Sequence, residues 1–344
     1  MSSPPRLVIA CDCDPDRPAY GGRPYDSREP MTWRGVSEGL PRLLDALDAV
    51  EAETGQRLNF TWCVRSDLQM SEVHGHAAWA YLEHAELWSR LEERGDELAW
   101  HPHLWRWSDS AHCWRQEMQD EEWIVSCLRT GHRALSDALG HPVTTCRMGW
   151  EFHNNLTLRT LEELGVVVDI SAVPGYRCAG VGGRGSDFHR CNDWSITPTA
   201  PYCPSAADYR RPVCPGEKEL HLVEIPLWSR VEWRWRALGR LQVRAKHLAK
   251  GRLAEALRPE PVFRIPAFTV DPRVFAGAFG QAIRCGKLGA VTVAAFHCDE
   301  LLNGAGLRGR LYGLAHARRN ALFVASRMQT ITATEAASQP STRS

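Results

Sequence analysis

No hydrophobic run in the sequence approaches the length of a membrane span. The first apolar stretch, Leu7 to Ala10, has only four residues, too few for the core of a secretory signal. The expectation is a cytoplasmic protein with no membrane partner. An excess of one charge is also lacking, since 41 Lys and Arg balance 41 Asp and Glu. Net charge therefore gives no reason to expect a nucleic-acid partner. Twelve cysteines are present, yet no Cys-x-x-Cys pair. The tight spacing of a structural zinc site is missing, and in a reducing compartment most of these thiols act as small buried apolar groups.

What is present is a strand-helix rhythm. Leu7 to Ala10 reads as a buried strand, Val36 to Thr54 as a helix stopped by Gly55, and Leu58 to Val64 as a second strand. Ala77 to Arg94 has helical spacing and is closed by Gly95, and Glu97 to His103 alternates as a third strand. The pattern continues with a helix from Glu117 to Leu139, a strand from Val143 to Met148, a helix from Leu156 to Leu164 and a strand from Val166 to Ile170. A parallel sheet or barrel with crossover helices is the class this order predicts. Regularity fades over 171–219, a Cys/Gly/Pro-rich excursion read as an insertion. A strand resumes at Leu220 to Ile225, a basic helical segment covers 229–258, and Ala290 to Phe296 is a β-branched strand. A closing helix spans Leu311 to Met328, and 329–344 is small and polar, read as a disordered tail. One barrel domain over 1–328 is the expected organisation.

Polar groups collect at the ends of the predicted strands. Asp12 and Asp14 follow the first, His101 and His103 end the third, Arg147 ends the fourth, and His297 and Asp299 follow the last. Residues two apart on a strand share a side, so His101 and His103 can reach one point, a geometry that suits a metal ion. One of the two aspartates can likewise serve as a ligand and the other as a base. In repeating strand-helix chains such ends converge at one mouth of the barrel. Fourteen tryptophans, several of them crowded around the histidines, offer faces for a flat amphipathic ligand. Trp33, at the end of a long Pro/Gly-rich loop, Trp105 and Trp150 are the candidates for contact with substrate.

The order of Asp12-Cys13-Asp14-Pro15, Gly95-Asp96-Glu97-Leu98-Ala99-Trp100-His101, Arg147-Met148-Gly149-Trp150 and Phe296-His297 resembles the motifs of the polysaccharide deacetylase superfamily. The likeness is to carbohydrate esterase family four, the chitooligosaccharide deacetylase type. It spans about residues 6 to 170 and 220 to 302. It implies a distorted (β/α) barrel of the glycoside hydrolase/deacetylase type holding one divalent metal ion, Zn²⁺ by preference, through Asp14, His101 and His103. Trp105 stands where the family places its second metal histidine, so His103 substitutes for it. By the same resemblance Asp12 is the general base, Arg147 orients it, His297 protonates the leaving amine, and the Trp150 N–H helps polarise the oxyanion. Met148-Gly149 replaces the family's two prolines.

The activity so implied is removal of an N-acyl group, an N-acetyl above all, from an amino sugar or related small molecule in glycoconjugate or natural-product metabolism. Asp299 joins the three tryptophans as an expected substrate contact. Two rival readings use the same barrel. A glycosidic bond could be cut between Asp12 and Asp299. Alternatively, the tryptophans could bind carbohydrate without catalysis.

Overall fold

The computed structural model describes residues 4–180, 190–231, 263–264, 266–284, 291–302 and 311–338. Its centre is a parallel sheet of β1 (Arg6–Cys13), β2 (Thr61–Arg65), β3 (Glu97–His101), β6 (Thr145–Cys146), β7 (Val168–Asp169), β10 (Val223–Glu224) and β13 (Val291–His297). Between them in the chain lie two antiparallel hairpins, β4 (Trp105–Ser108) with β5 (Cys113–Gln116) and β8 (Arg177–Gly180) with β9 (Arg190–Asp193). A third short pair joins β11 (Arg230–Val231) to β12 (Phe263–Arg264). The sheet order is β10-β7-β6-β3-β2-β1-β13. Backbone bonds from Trp228 N to the Val293 carbonyl and from Val293 N to the Pro226 carbonyl join the chain beyond β10 to β13. The sheet thereby closes on itself, as the predicted distorted barrel requires.

The helices are α1 (Leu40–Thr54), α2 (Leu68–His74), α3 (Trp79–Glu83), α4 (Ala85–Glu93), α5 (Glu121–Leu139), α6 (Asn155–Glu163), α7 (Pro272–Arg284), α8 (Leu314–Ala325) and α9 (Ala333–Ala337). Each long helix buries one stripe against the sheet. In α1 the stripe is Leu40, Leu43, Leu44, Leu47 and Val50, at helical spacing, and Gly55 ends it at φ 67°. In α5 the Asp120 carboxylate caps the first turn by accepting from Trp123 N.

The two-residue period of the strands sorts their side chains into two layers. On β1, Leu7, Ile9, Cys11 and Cys13 join the helices, while Val8 and Ala10 face the interior with Cys63, Ala99, Val168, Ile170, Val293 and Ala295. The inner layer is made of small and β-branched groups that fill a narrow barrel. Continuing the same alternation one step beyond Ala10, Ala99 and Ala295 sets Asp12, His101 and His297 on the inner side at the carboxyl ends.

Three expectations need correction. The helix predicted over 77–94 is two short helices meeting at His84. The Trp88 indole N–H bonds the Ala80 carbonyl, the acceptor that a continuous helix would offer to His84 N–H. The tail is ordered over 329–338. β14 (Gln329–Thr330) pairs in parallel with β1, and Thr332 and Glu335 form a capping box for α9. Ile331, Ala333 and Ala336 are buried with the inner layer, and that burial offsets the entropy of ordering the segment. The 104–116 segment, for which no element was predicted, is the β4–β5 hairpin. The basic helix expected over 229–258 lies, beyond Val231, outside the described residues.

Candidate active site

Four strand ends meet at the carboxyl mouth. Asp14 Oδ2 lies 3.3 Å from His101 Nε2 and 3.3 Å from His103 Nε2, and the two imidazole nitrogens are 3.1 Å apart. All three residues are buried. Ligand atoms about 2.0 Å from a tetrahedral ion lie about 3.3 Å from one another, so the triangle has the dimensions of three zinc ligands. Among the described residues this trio is the one group of His, Cys, Asp and Glu side chains so placed. His101 Nδ1 donates to the Arg147 carbonyl at 2.6 Å, which leaves Nε2 as a lone pair directed at the cluster. His103 is held less aptly, because the Trp105 indole N–H donates to its Nδ1 at 2.8 Å. The trio fits a divalent cation once that indole yields.

Charge is balanced within the cluster. Burial disfavours the Asp14 carboxylate, but His101, His103 and Arg65 outweigh it and hold Asp14 well below the usual carboxylate range. Burial likewise opposes ionisation of Asp12, and Arg147, His101 and His297 overcome it. Arg147 Nε donates to Asp12 Oδ1 at 2.6 Å, and its Nη1 donates to the Ile170 carbonyl at 2.9 Å. Burial and the Arg65 charge push His103 down to about 4. His297 is pushed down to about 3 by burial and by Arg17, so it stands as neutral imidazole at physiological pH. Its Nε2 lies 3.7 Å from Asp12 Oδ2 and its Nδ1 3.8 Å from Asp14 Oδ2. That Nδ1 is a buried ring nitrogen without a hydrogen bond, aimed into the site.

Three residues that hold the cluster from outside, Arg65, Asp67 and Gln69, were missed by the sequence reading. Arg65, at the end of β2, donates from Nη1 to Asp14 Oδ1 at 2.9 Å, from Nε to Asp67 and from Nη2 to Gln69 Oε1 at 2.7 Å. Asp67 caps α2 and accepts the His103 backbone N–H at 3.0 Å, which fixes the chain just beyond β3. Arg65-Ser66-Asp67 is another polar strand end, the same signal that marked the other four. Gly149 has a packing role here. A Cβ on it would lie 2.2 Å from the His103 ring. His103 and Gly149 are thus parts of one fit.

The expected substrate contacts divide. Trp105 and Trp150 line the cleft in front of the cluster. Trp150 and Glu151 hold left-handed backbone at φ 57° and 51°, and Trp194 Nε1 braces the turn through the Glu151 carbonyl at 2.9 Å. Trp33 does not reach the cleft. It is buried against Trp79, with ring centroids 5.4 Å apart, and its N–H points to His74. Asp299 is buried, and both its oxygens accept from Arg17, at 2.6 Å from Nη2 and 2.8 Å from Nε and the backbone N. With its oxygens so engaged, Asp299 anchors the loop that follows β1 instead of binding substrate.

No protein-family model matches the chain, and no curated protein does. Solved structures resemble it at the level of fold. One is a protein of Parabacteroides distasonis whose structure is named for a glycoside hydrolase/deacetylase. It superposes with a TM-score of 0.54 at 13% identity, over 97% of this chain and 71% of that one. Another, named for a polysaccharide deacetylase of Pseudomonas aeruginosa, gives 0.51 at 14% identity, over 96% and 89%. The chain therefore has the distorted (β/α) barrel fold of the glycoside hydrolase/deacetylase type. The motif resemblance and the fold agree.

Proposed function

We propose that the protein is a metal-dependent amide hydrolase that removes an N-acyl group, such as acetyl, from an amino sugar or related small molecule. The observation that carries this reading is the buried triangle of Asp14, His101 and His103 beside the Arg147–Asp12 pair and His297. A divalent ion at the triangle would supply Lewis-acid polarisation of an acyl oxygen and lower the pKa of water.

The chain's own residues supply the rest. Arg147 keeps Asp12 ionised and fixes its Oδ1, so that Oδ2 is the oxygen left to take a proton from the attacking water. His297 enters as neutral imidazole. The proton it hands to the leaving nitrogen is therefore one it first takes up within the reaction, on the nitrogen nearest Asp12. The Trp150 turn offers a backbone N–H to the developing oxyanion. The glycosidase alternative loses its second carboxylate, because Asp299 is bound by Arg17.

A soluble intermediate, processed in the cytoplasm, is the substrate proposed. No helix among the described residues is long and apolar enough to cross a membrane. Metal analysis of the purified protein, with amine release measured before and after chelation, tests the reading. One bound divalent ion, activity lost on chelation and restored by Zn²⁺ or Co²⁺, and loss of both in Asp14→Ala are expected. Equal amine release from chelated and reloaded protein would sink it, as would a barrel that binds carbohydrate and never releases amine.

A further inference from the structure

The cleft before the metal triangle is roofed. Its roof is built from two segments, residues 15–31 and the β4–β5 hairpin. Trp114 N donates to the Tyr25 carbonyl at 2.9 Å, and the Trp114 indole N–H donates to the Ser27 carbonyl at 2.8 Å. Tyr25 stacks on Trp105 with centroids 5.5 Å apart and planes 19° from parallel. Arg28 lies over the Trp107 ring at 5.3 Å. The other end of the loop is tied down as well, since Asp16 accepts from Arg34 N and Gly35 N, and Arg17 bonds Asp299 and Glu300. The loop is a clasp so fastened at both ends, and residues of both segments line the cleft beside Asp14, His103 and His297.

Several charged groups that line this pocket, outside the reacting cluster, already have partners. Arg17 serves Asp299 and Glu300, Arg23 pairs with Glu29, and Arg65 serves Asp14, Asp67 and Gln69. Asp16 accepts two backbone N–H groups. A sugar needs hydrogen bonds for nearly every hydroxyl, and burying one against engaged groups leaves it unpaired. The other walls are Pro15, Pro18, Pro24, Met31 and the rings of Tyr25 and Trp150. These offer flat apolar contact.

Resting on the amide-hydrolase reading and narrowing its substrate from an amino sugar to another small amide, we propose that the pocket takes a small N-acylated amine with an aromatic body, entering end-on, in preference to a sugar or the interior of a sugar polymer. The amide reaches the metal triangle while the ring packs between the clasp and Trp150. Binding, measured by calorimetry on the purified protein, tests this apart from turnover. The probes are acetanilide, N-acetyltyramine, N-acetylglucosamine and chitotetraose. The aromatic amides should bind about tenfold more tightly than N-acetylglucosamine, the scale of one or two good ring contacts. Chitotetraose should bind no better than the monosaccharide.

Tyr25→Ala, which removes the stacked ring and leaves Trp114 in place, should cut the aromatic preference. Trp114→Ala, which unfastens the clasp, should do the same and admit the tetrasaccharide. N-Acetylglucosamine binding as tightly as acetanilide, affinity rising with oligosaccharide length, or no binding by any probe would overturn the assignment. Tight aromatic binding without amine release would leave it standing and refute the amide-hydrolase reading instead.

Discussion

Trp105 donates its indole N–H to Nδ1 of His103 over 2.8 Å, which forces that nitrogen to be an acceptor. In a neutral ring the proton then sits on Nε2, the atom that faces Asp14 Oδ2 and His101 Nε2. A metal-ligating histidine needs the reverse arrangement, in which the outer nitrogen donates, as His101 does to the Arg147 carbonyl. The consequence is that Trp105 opposes metal binding at His103. Trp105→Phe keeps the ring and deletes the N–H. It should bind Zn²⁺ about tenfold more tightly in competition with a chromophoric chelator, the scale on which outer partners tune metal affinity. Unchanged or weaker affinity in that variant would show that the indole does not set the tautomer.

Gly149 and His103 are packed so closely that a change at one tests the other. Gly149→Ala puts a methyl group 2.2 Å from the His103 ring, well inside any tolerated contact. The ring must move, and the strain should cost about 1–3 kcal/mol of stability. The separate signature is loss of stoichiometric metal in a protein that still melts cooperatively. Normal metal content in the alanine variant would mean that His103 is not a ligand.

Arg147 and Asp12 form a buried pair joined at 2.6 Å, both nearly inaccessible to water. Removing one partner strands the other charge, at a typical cost of about 3–5 kcal/mol. Arg147→Met should therefore lower the unfolding free energy by that order. Asp12→Leu combined with it should recover most of the loss, because the pair as a whole is not a large net stabiliser. A chemical-denaturation double-mutant cycle measures the coupling, and simple additivity of the two changes would refute it.

The strand ends were legible because one rule, side chains alternating along a strand, places Asp12, His101 and His297 on one side, and the parallel order brings them together. The register bears this out, with Asp12 opposite His297 and Arg65 opposite His101. What pattern could not supply was partnership. Asp299 reads as an open carboxylate until Arg17, far away in the chain, is seen to occupy it. Trp33 reads as a loop platform until Trp79 and His74 are packed on it. The Thr332–Glu335 capping box was visible in a stretch whose small, polar composition suggested disorder, and tertiary burial of Ile331 and Ala333 decided the outcome. The β4–β5 hairpin left a weaker trace, because its turn at His112 uses a non-glycine left-handed residue.

Glu224 gives a pH dependence remote from the metal triangle. It lies opposite Asp169 in parallel register, fully buried, and its Oε1 accepts from Ala172 N at 2.9 Å. Burial, followed by the neighbouring Asp169 charge, raises its carboxyl well above the ordinary value. Asp169 itself stays ionised against His153, 2.8 Å away. A carboxyl raised on folding binds its proton more tightly in the native state, so its contribution to stability is complete at pH below the unfolded value. That contribution is lost as pH rises from there through the folded value. Glu224→Gln holds the neutral form permanently. The variant should therefore lose less stability than the wild type as pH rises from the ordinary glutamate range through the raised one. Melting temperatures of the two proteins across that range measure the difference. Parallel pH profiles would show that Glu224 is ionised in the native protein like an ordinary carboxylate.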